Sequence, residues 1–182
     1  LLGAVGAELA RLHGLPSASW MSTESQICDE QAAWEKTTVG LMHAMAGVNI
    51  IWGMGQLESQ RALCPEMMVI DDEIAGIALR SARAPDVDDA ALAYDAIAGM
   101  AAQPDYLGHP HTLEHFRSEL FEPQLGFVGR RERWEAAGGL TAVERARVRV
   151  QEILAEPPAS RLPRDTEREL MNIENHWREE LA

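Results

Sequence analysis

Apolar positions along this chain follow two different rhythms. From Ile27 to Val48 the residues Ile27, Gln31, Trp34, Thr38, Leu41, Met45 and Val48 stand alternately four and three apart. That spacing predicts one face of a helix of about five turns, ending near Gly47. Val5, Leu9 and Leu12 predict a helix over Leu1 to His13, with Gly14 placed to end it and Pro16 unable to continue it. Met67, Ile70, Ile74, Ile77 and Ser81 mark another, stopped at Pro85. Asp86 to Asp89 offer N-caps to a further helix carrying Ala90, Tyr94, Ile97 and Ala101 and ended by Pro104. His111 to Leu120 reads as a short helix capped by Thr112. Two runs break the helical rhythm. Ser17 to Trp20 and Asn49 to Trp52 are too short for helices. The second is a β-branched run closed by Gly53 and Gly55, the pattern of a buried parallel strand. Tyr106-Leu107 is a very short third candidate.

The tail differs. After a linker at Gly126 to Gly129, Thr141-Ala142-Val143-Glu144 has the capping-box form, and Val143, Ala146, Val150 and Ile153 follow on one face. Pro157-Pro158 stops that helix. Pro163 and Asp165 open a last one, with Leu170, Ile173, Trp177 and Leu181 on its apolar side. Helix and strand in alternation predict a parallel α/β architecture. Two or three strands are too few for a complete (β/α)8 barrel and fit a piece of one, the expectation also for a chain that opens abruptly on an apolar helix. The expected organisation is a partial barrel over residues 1–129 and a helical extension over 130–182.

Charge narrows the partners. Sixteen basic residues face 29 acidic ones, a net of −13. Residues 1–129 hold 6 basic and 18 acidic residues, whereas residues 130–182 hold 10 and 11. Such a body repels phosphate backbones and anionic membranes. It favours cationic small molecules or a basic partner surface, although solubility alone would also explain it. No run of 18 apolar residues predicts a membrane span. Two cysteines without a C-x-x-C pattern, and no signal-peptide pattern, point to a reducing, cytoplasmic setting.

Four places hold residues with chemical potential. At the end of the second strand stand Trp52, before two glycines, and Gln56 and Glu58 after them; a Trp face beside a carboxylate suits a quaternary ammonium, although Trp52 as core and a simple glycine turn is the competing reading. Trp20 to Ser25 follow the first strand and so face the same mouth, where the hydroxyls of Ser22 to Ser25 position a ligand or cap the next helix. His109, His111 and His115 lie within seven residues, but His109 precedes the helix and only the other two share a face. Of the consecutive Asp71, Asp72 and Glu73, one is expected to face inward and two to be solvated. Lys36 is the sole lysine among fifteen arginines, hence the sole Schiff-base candidate, with nothing around it in the sequence to mark it as catalytic. Cys28 and Cys64 read as small buried hydrophobes.

The order of segments carries a further signal. His13-Gly14-Leu15-Pro16 leads into Ser22-Thr23-Glu24-Ser25 and then Asp29 to Lys36. Ala46 to Asn49 precedes Gly55-Gln56-Leu57-Glu58, Val69 to Gly76 follows, and Gly108 to Arg117 closes the series. This series resembles the C-terminal part of the trimethylamine methyltransferase family, over residues 1 to about 155. The resemblance implies the C-terminal portion of a (β/α)8 barrel with appended helices. It implies transfer of a methyl group from a methylated, here quaternary, amine to a separate corrinoid protein docked over the barrel mouth, with no cofactor tightly bound to the chain itself. Substrate contacts would fall to Trp52, Gln56, Glu58 and Ser22; no residue is assigned a catalytic role and no metal ligand is expected. A homo-oligomer is expected, because an unpaired sheet edge and the stripe on Leu1 to His13 need cover. Many relatives resemble one another in carrying histidine where this chain has Trp52 and tryptophan where it has Gln56. Only the twenty standard residues occur here, which looks like the branch without pyrrolysine. Two other readings stand beside this one: an inert association module, and a metal-dependent hydrolase using His109, His111 and His115.

Overall fold

The computed structural model describes residues 1–100, 105–156 and 162–181. These divide into two compact units, Leu1–Gln151 and Glu152–Ala182. In the first, helix α1 (Leu2–Leu12) leads to strand β1 (Ala18–Trp20), helix α2 (Glu30–Met45) and strand β2 (Ile50–Trp52). The two strands pair in parallel, with Ala18 opposite Ile50 and Trp20 opposite Trp52. Parallel pairing requires a crossover, and α2 is that crossover. A small antiparallel hairpin, β3 (Gln56–Leu57) and β4 (Ala62–Leu63), follows and delivers the chain to helix α3 (Pro65–Ala82). The hairpin was not legible in the sequence.

The core gathers Met21, Ala32, Leu57, Met67 and Ile74 where α2, α3 and the strand ends meet. The helices turn different faces inward from those the apolar spacing predicts. In α2 the buried positions are Ala32, Lys36, Gly40 and His43, while Ile27 before the helix and Trp34 and Met45 within it are more than half exposed. In α1 only Ala7 is fully buried, and Val5, Leu9 and Leu12 face outward. The physical reason is close packing. A side-chain carbon at Gly3 would come within 2.3 Å of His43 Nε2, and one at Gly40 within 2.7 Å of Met21 Sδ. Small residues let backbones approach, and this contact outweighs burial of the larger stripe. The strands are also more open than expected. Ser19 and Ile51 are half-buried, whereas Trp20 and Trp52 are 46% and 43% exposed on the alternate positions.

Downstream, the helix expected from residue 86 is two short ones, α4 (Asp89–Leu92) and α5 (Tyr94–Gly99), broken at Ala93 in the left-handed region. Ala101 and Pro104 lie outside the described residues. Tyr106-Leu107 is not a strand. Helix α6 (Pro110–Glu119) is capped by His109 rather than Thr112. Helix α7 (Arg131–Ala136) precedes α8 (Ala142–Ala155), which has the expected capping box: Glu144 accepts from the Thr141 amide at 2.7 Å and Thr141 Oγ1 accepts from the Glu144 amide at 3.3 Å. Ala146 and Val150 are buried, as their spacing predicts. In the second unit, helix α9 (Arg164–Glu180) leaves Leu170, Ile173 and Trp177 about half exposed. Pro157-Pro158 lies outside the described residues.

Candidate functional site

Because β1 and β2 run in parallel, their C-terminal ends open on the same side, where ligands bind in parallel α/β folds. Trp20 and Trp52 occupy these ends, directly opposite in register, with ring centres 5.2 Å apart and planes tilted by 56°. Trp20 opens the Trp20–Ser25 segment expected at this mouth, where the hydroxyls rather than the indole are the predicted ligand groups. The indole's signal was there to read: a tryptophan at the same terminal register position of the neighbouring strand.

The loops beyond the strand ends are fastened to each other. The Met21 amide donates to Trp52 O at 2.7 Å. Gly53 has φ +101°, and a side-chain carbon there would sit 3.0 Å from Met21 O. The Glu58 and Ser59 amides donate to Ser25 O and Thr23 O, and Ser59 Oγ donates to Glu24 Oε1 at 2.5 Å. Glu58, Ser59 and Gln60 all have φ between +50° and +75°. Three successive non-glycine residues in the left-handed region are strained, and these cross-loop bonds hold them there.

The predicted residues fall as follows. Trp52 packs on Trp20. Gln56 begins β3, half-buried, with Oε1 enclosed and without a partner among the described residues. Glu58 opens the strained turn. Ser22 lies beyond Trp20 and lines a cavity of about 380 Å³ with Trp34, Glu35 and Thr38, on the flank of α2. The hydroxyls of its neighbours are used within the protein, but not as helix caps. Thr23 Oγ1 donates to Glu35 Oε2 at 2.6 Å and Ser25 Oγ to Asp29 Oδ1 at 2.8 Å, while Asp29 itself caps α2 by accepting from the Ala32 amide. Hydrogen bonds from Thr23, the Glu24 amide and Gln31 hold the Glu35 carboxyl below its usual range. Those of the Ala32 amide and Ser25 do the same for Asp29.

Beneath the loop lies an ion pair that sequence reasoning missed. Lys36 and Asp71 are both wholly buried, with Lys36 Nζ donating to Asp71 Oδ2 at 2.5 Å and to Gly53 O at 3.0 Å. The Gly55 amide donates to the same Oδ2 at 2.7 Å. Burial pushes the Asp71 carboxyl up, against the opposing pull of Lys36 and the Gly55 amide. Of the acidic triplet, one residue therefore faces inward, as expected. Asp72 is exposed, and Glu73 accepts from the amides of Gln124, Leu125 and Gly126. A lone lysine flanked at four-residue spacing by Ala32 and Gly40 was the available hint that this face, not the apolar one, turns inward.

The histidine cluster is occupied by the protein's own backbone. His109 Nδ1 accepts from the His111 amide at 3.2 Å, and His111 Nε2 donates to Ala90 O at 2.7 Å, which fixes its tautomer. His111 and His115 stack with centres 4.4 Å apart. Among the described residues no group of three or more His, Cys, Asp or Glu side chains is arranged to hold a metal ion. Burial, with Cys64 beside it, pushes the Cys28 thiol up to about 12, where it is protonated and packs as a hydrophobe.

Comparison with known proteins settles the kinship. The model of the trimethylamine methyltransferase family matches residues 1–181. The chain belongs to this family. It is 32% identical over 149 residues to a trimethylamine methyltransferase of Desulfitobacterium hafniense (strain DSM 10664 / DCB-2), covering 80% of this chain and 29% of that protein. It is 32% identical over 157 residues to a glycine betaine methyltransferase of Desulfitobacterium hafniense (strain Y51), covering 84% and 33%. A trimethylamine methyltransferase of Methanosarcina barkeri is 29% identical over 157 residues, covering 85% and 31%. The chain thus spans about a third of the length of the curated relatives it matches. Among the described residues no helix is long and apolar enough to cross a membrane.

Proposed function

We propose that this chain forms the C-terminal part of a barrel methyltransferase, cytoplasmic, that moves a methyl group from a quaternary amine to a corrinoid protein. The single observation carrying this reading is the Trp20–Trp52 pair at adjacent parallel strand ends, half-exposed on the strand positions alternate to Ser19 and Ile51. In a closed barrel those positions line the interior. Two indole faces give a cation that cannot donate hydrogen bonds the attraction it lacks elsewhere. Glu58 and the acidic body add negative potential, and Gln56 and Ser22 form the rim. A quaternary nitrogen leaves as a neutral amine when its N–CH3 bond breaks, so the chain's task is to desolvate the cation and orient one methyl group. No proton donor is needed. The methyl acceptor is a corrinoid on a partner docked over the mouth. Residues 130–182 form the helical extension, and exposed apolar faces such as that of α1 are covered by a second copy of the chain.

The test is methylation of a reduced corrinoid protein by the intact protein, followed optically, with glycine betaine and trimethylamine as donors. Turnover with betaine supports the reading. Absence of both turnover and binding with either amine overturns it in favour of an association module.

A further inference from the structure

The loop from Trp52 to Gln56 contains two glycines in positive-φ conformations, Gly53 at +101° and Gly55 at +76°. Glycine has little preference among such conformations, so order in this loop has to be imposed from outside. We propose that Lys36 and Asp71 are a positioning pair that fixes the Gly53–Gly55 loop, and with it Trp52 and Gln56, against the substrate. The proposal rests on the function proposed above.

The geometry is directional. Lys36 comes from the middle of α2 and donates to the carbonyl at one end of the loop. Asp71 comes from α3 and accepts from the amide at the other end. Their mutual contact closes the ring. Two backbone groups of opposite polarity are thus gripped by two side chains of opposite charge, so a shift of the loop by one peptide would set donor against donor. Stability does not explain the arrangement. A buried ion pair is often matched or exceeded by apolar residues of similar volume. The α2–α3 contact already has Ala32, Met67 and Ile74 in its core. Moreover, among the described residues Asp71 Oδ1 is enclosed without a partner, an unused acceptor that a purely structural pair would be better without. What an apolar pair could not do is bond the Gly53 carbonyl and the Gly55 amide.

Two variants of the intact protein test this. Lys36→Met/Asp71→Leu removes both charges together, avoiding a stranded ion, and Asp71→Asn keeps an acceptor for both Lys36 and the Gly55 amide. Amide hydrogen exchange reads loop order; betaine binding and methyl transfer read its consequence. In the double variant, exchange at the Gly55 amide accelerates at least about tenfold while α2 and α3 stay protected. The turnover number falls roughly 10- to 100-fold, as displacement of a positioned group by about an ångström does. Betaine affinity changes much less, and Asp71→Asn recovers most of both losses. Wild-type exchange and turnover in the double variant overturn the proposal and leave the pair as packing. Should the double variant not fold, Lys36→Met decides, because it removes the donor to the Gly53 carbonyl: an accelerated Gly55 amide sustains the proposal and wild-type protection overturns it. If the wild type neither binds nor demethylates a quaternary amine, the proposed function falls, and loop exchange alone then decides the positioning role.

Discussion

The most discriminating prediction concerns the two indoles. Trp20 and Trp52 are each a little under half exposed, so a cation between them would be partly desolvated. A cation–π contact is worth about 0.5–1 kcal/mol when exposed and about 2 when dry, which puts each half-buried ring at about 1 kcal/mol. One kcal/mol is about fivefold in affinity, and two rings give roughly 30-fold. Each substitution also removes apolar contact, and that loss is blind to charge. The proper comparison is therefore between glycine betaine and 3,3-dimethylbutanoate, which has the same shape with carbon in place of nitrogen. By calorimetry on the intact protein, Trp20→Ala and Trp52→Ala should each narrow the preference for betaine over this isostere, which lacks the cationic nitrogen, about fivefold. The rings touch at 5.2 Å, so the double variant should fall short of additivity. Equal weakening of both ligands would show that the indoles pack rather than recognise, and the carrying observation for the proposed function would be lost.

Three further outcomes are expected. Gly53→Ala should destabilise by about 1–3 kcal/mol, because alanine at φ +101° is strained and its methyl group meets Met21 O; an unchanged urea midpoint refutes this. Glu35 has its carboxyl held below the ordinary glutamate value of 4.5, so its contribution is complete above that pH and is lost as pH falls through the lower folded value. Glu35→Gln should lower stability at pH 7 and flatten the acid limb of the pH–stability curve, and an unaltered limb would count against the Thr23 and Glu24 bonds as the cause. Finally, sedimentation at micromolar concentration should show self-association of this chain, with Leu9→Glu and Leu12→Glu on the open face of α1 reducing it; a monomer before and after substitution refutes the covering role.

The sequence alone determined a good deal. The helix–strand–helix–strand order over residues 1–52 with its parallel strands, the capping box at Thr141 and the family kinship all rest on local signals: turn residues, caps, β-branched runs and motif order. Those signals act within a few residues and survive any tertiary context. It did not determine which faces turn inward. The apolar stripes of α1 and α2 predicted one face, and the structure buried another, because close approach at Gly3 and Gly40 and a neutralised charge at Lys36 depend on what stands across the interface. Hydropathy scores a buried lysine as an error, yet Asp71, thirty-five residues away, and the Gly53 carbonyl satisfy it. The same holds at the mouth. Trp52 was legible from its place after a strand, but Trp20 became its partner only through the strand register. The left-handed turn at Glu58 to Gln60 exists only because Thr23, Glu24 and Ser25 grip it from the neighbouring loop. Tertiary structure decided these features because each depends on a partner distant in the chain, and spacing along one segment carries no record of it.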